Sequence, residues 1–207
     1  MLLVVQPRCD QNPRAMRALI LRSFLFPLCL AAASARAADD ISVEARRRDE
    51  ALEVVCRAML EAPLELIWQT LTDYGRLAEF IPGMRKSRVV SRNGAVSVVE
   101  QSGEARFLFV TYPIEVTLSS TERPPYGIDA VLLNGNLKRL DGAYRIEPQG
   151  GGRMLLTWTG LVEAVSMPPL IGEMLMRSSI EDQFRGMVRE IERREALRRE
   201  RAREPGR

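Results

Sequence analysis

Among the 207 residues there is no histidine, and this absence removes a large part of side-chain chemistry at once. Without imidazole there is no Ser-His-Asp or Cys-His arrangement, and the commonest zinc ligand is missing. Acid–base work would fall to carboxylates, Lys, Tyr or Cys. Glu100, Glu104, Arg106, Glu115 and Asp129 lie in expected strands, where an inward-facing charge would signal function. Asp73 is expected to cap or end a helix. Lys138 and Arg139 are adjacent, so a strand sends them to opposite faces rather than to one anion. Gly150-Gly151-Gly152 has no helix and lysine after it, and reads as a hairpin turn, not a phosphate loop. These residues compose no catalytic set and no metal cluster, and the expectation is a protein without catalytic residues, metal or cofactor.

The first 37 residues have the order of an export leader. Arg17 and Arg22 follow Met16, an apolar run extends from Phe24 to Ala33, and Ala35-Arg36-Ala37 offers small residues for cleavage. Met16 stands where such a leader would begin. The run is short for a membrane span, with an uncleaved N-terminal anchor as the alternative, and periplasmic or secreted localisation is expected. Residues 1–37 hold five of the 30 bases and one of the 27 acids, which leaves 25 against 26. The remainder is close to neutral. Arginines after Arg193 alternate with Glu195, Glu200 and Glu204, the pattern of a solvated helix end or charged tail over 195–207 and not of a nucleic-acid arm. Contact of that basic tail with an anionic membrane surface is its functional alternative. Cys9 and Cys29 fall within the leader, so Cys56 is left alone and reads as a small buried hydrophobe.

The expected domain, 38–194, is organised around a C-terminal amphipathic helix from Leu170 to Ile191. Leu170, Met174, Ile180, Phe184, Met187, Val188 and Ile191 recur at helical spacing between charged residues. Leu52 to Leu60 alternates as a first strand, after a shorter alternating run from Ile41 to Ala45 and a charged turn, Arg46 to Glu50. Pro63 opens a short helix with Leu64, Ile67, Trp68 and Leu71 on one face, and a second turn from Leu77 to Ile81 ends at Pro82-Gly83. Strands follow from Arg85 to Glu163, with Asn93-Gly94 a hairpin signal and Arg106 to Thr121 read as one long strand. In that strand Leu108, Val110, Tyr112, Ile114, Val116 and Leu118 share a face, and Pro113 implies a bulge or an edge position. The fold class is α+β: a curved antiparallel sheet wrapped around a long C-terminal helix, with two short helices after the first strand.

Three stretches carry a family resemblance. Trp68-Gln69-Thr70-Leu71-Thr72-Asp73-Tyr74, followed after five residues by Phe80-Ile81-Pro82-Gly83-Met84, is the first; Gly135 through Lys138-Arg139, Gly142 and Tyr144 to Ile146 is the second; the closing helix with Phe184, Met187 and Ile191 is the third. Together they resemble the START-like (SRPBCC, helix-grip) superfamily, in its polyketide cyclase/dehydrase and coenzyme Q-binding branch. The resemblance spans Val54 to Arg194. It implies an apolar cavity between sheet and C-terminal helix, gated by the short helices. Met59, Met84, Met154, Met167, Met174, Met176 and Met187 agree with an adaptable pocket wall, although for any single one of them filling a gap in the core is the commoner role. The candidate ligand-binding residues are Trp68, Phe80 and Met84 near the short helices, and Leu108, Val110, Tyr112, Leu132 and Trp158 in the sheet. Met167, Met174, Phe184 and Met187 complete the set on or before the closing helix. The expected function is non-enzymatic binding or transport of a hydrophobic small molecule such as a lipid, fatty acyl chain or isoprenoid quinone. A cyclase-like enzyme and a protein-interaction module are the alternatives, and the sequence leaves oligomeric state open.

Overall fold

The computed structural model describes residues 41–164 and 169–204; the expected leader and Met167 lie outside the described residues. Eight strands form one antiparallel sheet: β1 Ile41–Arg48, β2 Ala51–Leu60, β3 Met84–Asn93, β4 Val96–Phe107, β5 Val110–Arg123, β6 Gly127–Gly135, β7 Leu137–Pro148 and β8 Met154–Ala164. Their spatial order is β1-β2-β8-β7-β6-β5-β4-β3. The helices are α1 Leu64–Leu71, α2 Leu77–Phe80 and α3 Pro169–Arg203, with a 3-10 turn at Tyr74–Arg76. This is the expected helix-grip fold. One face of the sheet carries Val54, Cys56, Val99, Leu118, Ile146 and Leu156 into the core, where Phe184, Met187, Val188 and Ile191 of α3 meet them.

Three boundaries differ from the sequence reading. β1 continues through the charged residues to Arg48, because Arg46 pairs with Glu53 at 2.8 Å and Arg57 with Glu44 at 2.8 Å across the ladder; opposite charges on facing strands support pairing. The long strand from Arg106 to Thr121 is instead two strands, broken by a tight turn at Leu108-Phe109 in which Leu108 has φ of 53°. No Gly, Pro, Asn or Asp marks that turn, so an apolar run hid it. Pro113 faces β4 through its partner Glu104, and the β5–β6 ladder begins only at Val116, so the proline occupies an edge position where no second ladder needs its N–H. Asn136 covers that edge: its side chain donates to the Pro113 carbonyl at 2.6 Å and accepts from the Glu115 N–H at 2.9 Å.

The third boundary is the end of α3, which runs on to Arg203. Two clusters hold this extension. Buried Glu190 accepts from Arg193 and Arg194, each at 2.7 Å, and buried Glu195 accepts from Arg198 at 2.7 Å and Arg199 at 2.6 Å. Such pairs at spacings of three and four stabilise a helix, more so with the acid on the N-terminal side. Arg199 also donates to the Glu61 carbonyl at 2.7 Å, tying the extension to the end of β2.

These pairs have a pH signature. The hydrogen bond from Arg193, with that from Arg194, holds the Glu190 carboxyl below its ordinary value against the opposing effect of burial, and Arg198 does the same for Glu195. A depressed carboxyl contributes stability that is fully present above its unfolded value, about 4.3, and lost as pH falls through the folded one. Melting temperature should therefore drop between about pH 5 and pH 3, and Glu190→Gln should reduce that drop. An unchanged slope in the variant would show that the cluster does not couple to folding.

Candidate functional site

The core is not filled. Between the concave face of the sheet and α3 lies a cavity in two lobes, with volumes of about 150 Å³ and 100 Å³. Met84, Gln101, Leu140, Trp158, Ile180 and Gln183 border both lobes and form the waist between them. The first lobe is roofed by Leu71, Tyr74, Leu77 and Ile81 from the short helices and backed by Phe184 and Met187 of α3. The second extends past Gly103, Ile114 and Leu137 to Met176.

The roof is held down by α3. Arg194 donates to the Asp73 carboxylate at 2.8 Å and lies over the Phe80 ring, 5.5 Å from its centroid. Asp73 stands just past the end of α1, as expected, but makes no side-chain cap; its carboxylate is taken by Arg194. Gly186 supplies the second anchor. A Cβ there would stand 2.4 Å from Pro82 Cδ and 2.8 Å from the Phe80 carbonyl oxygen, so only glycine lets the loop after α2 rest on the helix.

Trp158 forms part of the floor. It sits in β8 opposite Tyr144, and its ring lies over Gly160 and Gly142, which pair with each other across β7 and β8. A Cβ on Gly160 would be 2.1 Å from Trp158 Cη2. The two glycines thus make the seat that allows a large ring to lie flat on the sheet.

The polar groups of the first lobe are neutral. No Asp, Glu, Lys or Arg is among the described residues lining the first lobe. Burial raises the Tyr74 phenol, with Glu122 adding to the effect, and burial raises Tyr144 as well; both stay protonated in the physiological range. Cys56 is pushed up to about 12, first by burial and then by nearby Glu181, which leaves it an inert thiol. Glu104 borders the second lobe, but its carboxylate is paired with Arg85 and Arg106. At the waist, Gln183 donates to Ser179 at 3.1 Å, which leaves its amide oxygen available. A distinct polar cleft of about 250 Å³ near the start of α3 is lined by Arg47, Glu50, Lys138 and Glu163. Lys138 and Glu163 close on each other there at 2.9 Å, while Arg139 pairs with Asp141 at 2.5 Å.

Of the residues singled out in the sequence, Met84, Trp158, Phe184 and Met187 line the first lobe. Val110, Tyr112 and Leu132 pack against the core without bordering either lobe, as do Trp68 and Phe80. Leu108 does not face the interior: the turn puts it in solvent, 82% exposed. Met174 is 44% exposed, and its place is taken by buried Leu175 and Met176. The six-residue step from Met174 to Ile180 is not a whole number of helical turns, whereas Met176, Ile180, Phe184, Met187 and Ile191 follow steps of four, four, three and four. Gln101, Gln183, Tyr74 and Tyr144 were not anticipated. Gln101 was accessible from alternation, since it shares a strand face with Val99.

A family model described as polyketide cyclase / dehydrase and lipid transport matches residues 60–192. The chain belongs to this family. The match takes in the roof, the sheet beneath it and most of α3. A search of the curated proteins finds no match. Among solved structures, the family fold is shared with a STAR-related lipid transfer protein from Xanthomonas axonopodis, at 12% identity and a TM-score of 0.61, covering 76% of this chain and 97% of that one. It is shared with the ZhuI aromatase/cyclase from Streptomyces sp. R1128, at 17% identity and a TM-score of 0.59, over 69% and 94% of the two chains. A START superfamily protein from Mycobacterium smegmatis matches at 16% identity and a TM-score of 0.56, over 68% and 97%. Proteins of this fold thus include one named a lipid transfer protein and one named an aromatase/cyclase, so activity has to be argued from this chain's own cavity.

Proposed function

We propose that this protein binds and carries an uncharged hydrophobic small molecule in the two-lobed cavity and, from the order of its first 37 residues, does so outside the cytoplasm. The observation that carries the reading is the cavity wall: mostly apolar side chains, with neutral amide, indole, phenol and hydroxyl groups as its polar complement and one lining carboxylate among the described residues, Glu104, already paired with Arg85 and Arg106. A carboxylate or phosphate buried there would meet no fixed countercharge, and an unpaired buried charge is costly. A carbonyl or hydroxyl would find partners in Gln101 and Gln183. The lipid-transfer wording of the family description and the Xanthomonas lipid transfer protein of the same fold are consistent with such a cargo. Catalysis is not favoured, because the groups that burial perturbs most here are phenols and a thiol held protonated, and none is poised to take a proton near neutral pH.

The test is paired binding of two fluorescent probes with the same acyl chain, one ending in a methyl ester and one in a free carboxylate. The ester should bind at least ~10-fold more tightly at pH 7, as expected for a charge left without a partner in an apolar site. Gln101→Leu should weaken the ester roughly 5- to 10-fold while leaving the melting temperature nearly unchanged, since the lost interaction is one hydrogen bond to ligand. Equal binding of both probes, or no uptake of either, would overturn the reading.

A further inference from the structure

The antiparallel connections gather the β1–β2, β4–β5 and β6–β7 turns and the start of α3 at one end of the sheet. At that end Leu108 and Phe109 form the whole of the β4–β5 turn and are 82% and 92% exposed. The turn is firmly rooted: Phe107 pairs with Val110 directly beneath it, and both pack against the core. Leu108 adopts φ of 53°, a region that a branched apolar side chain seldom occupies. Two large apolar side chains thus project on a rigid stalk, where burial would ordinarily have withdrawn them.

Charge tells what covers them. Arg106, next to the turn, and Arg85 on β3 converge on a single acid, Glu104, so one positive charge is left uncompensated beside the tip. The two arginines are mostly exposed at their side chains. A second copy of the chain would have to match an apolar point with a cationic margin. A bilayer containing anionic lipid matches both at once, because the aromatic and aliphatic tip enters the acyl boundary while the guanidinium groups remain with the headgroups. The second cavity lobe extends toward this end, past Gly103 and Ile114, which pair with each other on the two strands that lead to the turn.

We propose that the Leu108-Phe109 turn inserts into the interface of membranes containing anionic lipid and docks the second lobe of the cavity against them. The tip acts whatever the cavity holds, so failure of the carrier reading and failure of this one are separate results.

Phe109→Trp places a reporter at the tip of the full chain. Its emission should shift to the blue, and be quenched by brominated acyl chains at least about twofold beyond the parent chain, on vesicles of phosphatidylcholine and phosphatidylglycerol in a 3:1 ratio. Local quenching reports insertion of the tip even if another segment of the chain also binds lipid. Adding Leu108→Ser should reduce the quenched fraction roughly tenfold, the effect of withdrawing one large aliphatic side chain from the bilayer, with far-ultraviolet dichroism unchanged. On phosphatidylcholine alone, or at high salt, quenching should fall as the arginines lose their counterpart. Quenching no greater than the parent's would overturn the proposal. So would equal quenching on neutral vesicles, or a blue shift without lipid that rises with protein concentration and marks a second copy as the occupant.

Discussion

Phe184→Ala is expected to destabilise the protein by roughly 3–5 kcal/mol, the range for truncating a fully buried aromatic side chain. Phe184 is 1% exposed and among the largest fully buried side chains of the core, although one edge of it reaches the first lobe. Its position on α3, between the roof and the sheet, leaves few neighbours free to collapse into the space it vacates, because the roof is already fixed by Arg194 on Asp73 and by the contact of Pro82 with Gly186. For a domain of this size each kcal/mol lowers the melting temperature by about 2–4 °C, so a fall on the order of 10 °C is the expected reading. Small apolar probes should meanwhile bind the enlarged first lobe better than in the parent, as a dry cavity lined by hydrophobic groups accepts them. A loss below about 1 kcal/mol would mean that the ring already stands in open space and that the cavity is larger than its two lobes.

The second large effect is expected at Gly160. With any Cβ at this position 2.1 Å from Trp158 Cη2 and 2.5 Å from Cζ2, the indole cannot stay on its seat. Trp158 borders both lobes, so the free space beside the ring lies in the cavity. Gly160→Val should therefore push the ring across the waist, costing about 1–3 kcal/mol through overpacking and reducing uptake of an acyl ester probe at least ~10-fold by occupying volume the ligand needs. Thermal melts and probe titration read the two effects separately. Trp158→Leu in the Gly160→Val background should recover much of the binding, because the smaller side chain vacates the waist. If Gly160→Val binds the probe as the parent does, the waist is not where the ligand lies.

These two sites also illustrate what could be read from the sequence. The long amphipathic helix, the paired short helices and the meander of strands were all legible, since helical and strand periodicities report which face is buried. Phe184, Met187 and Trp158 were placed correctly at the interior on that ground. The Leu108-Phe109 turn was hidden because turn readings depend on residues that tolerate unusual backbone angles, and here a leucine adopts one. The neutral waist was hidden for another reason. Gln101 and Gln183 come from β4 and α3, far apart in the chain, and only the tertiary fold brings two ordinary surface-type residues to one wall. Gly160 and Gly142 did carry a signal, because glycines inside strands imply a close approach; what they approach was settled by the position of Trp158.

The central claim is that the cavity carries an uncharged apolar molecule. Native mass spectrometry of the full chain, purified without detergent and followed by solvent extraction of whatever is bound, tests it most directly. One neutral apolar molecule per chain, absent or depleted in Gly160→Val, is the expected result. A bound fatty acid or other anion retained equally by parent and variant, or an empty parent chain that also refuses the acyl ester, would contradict the claim.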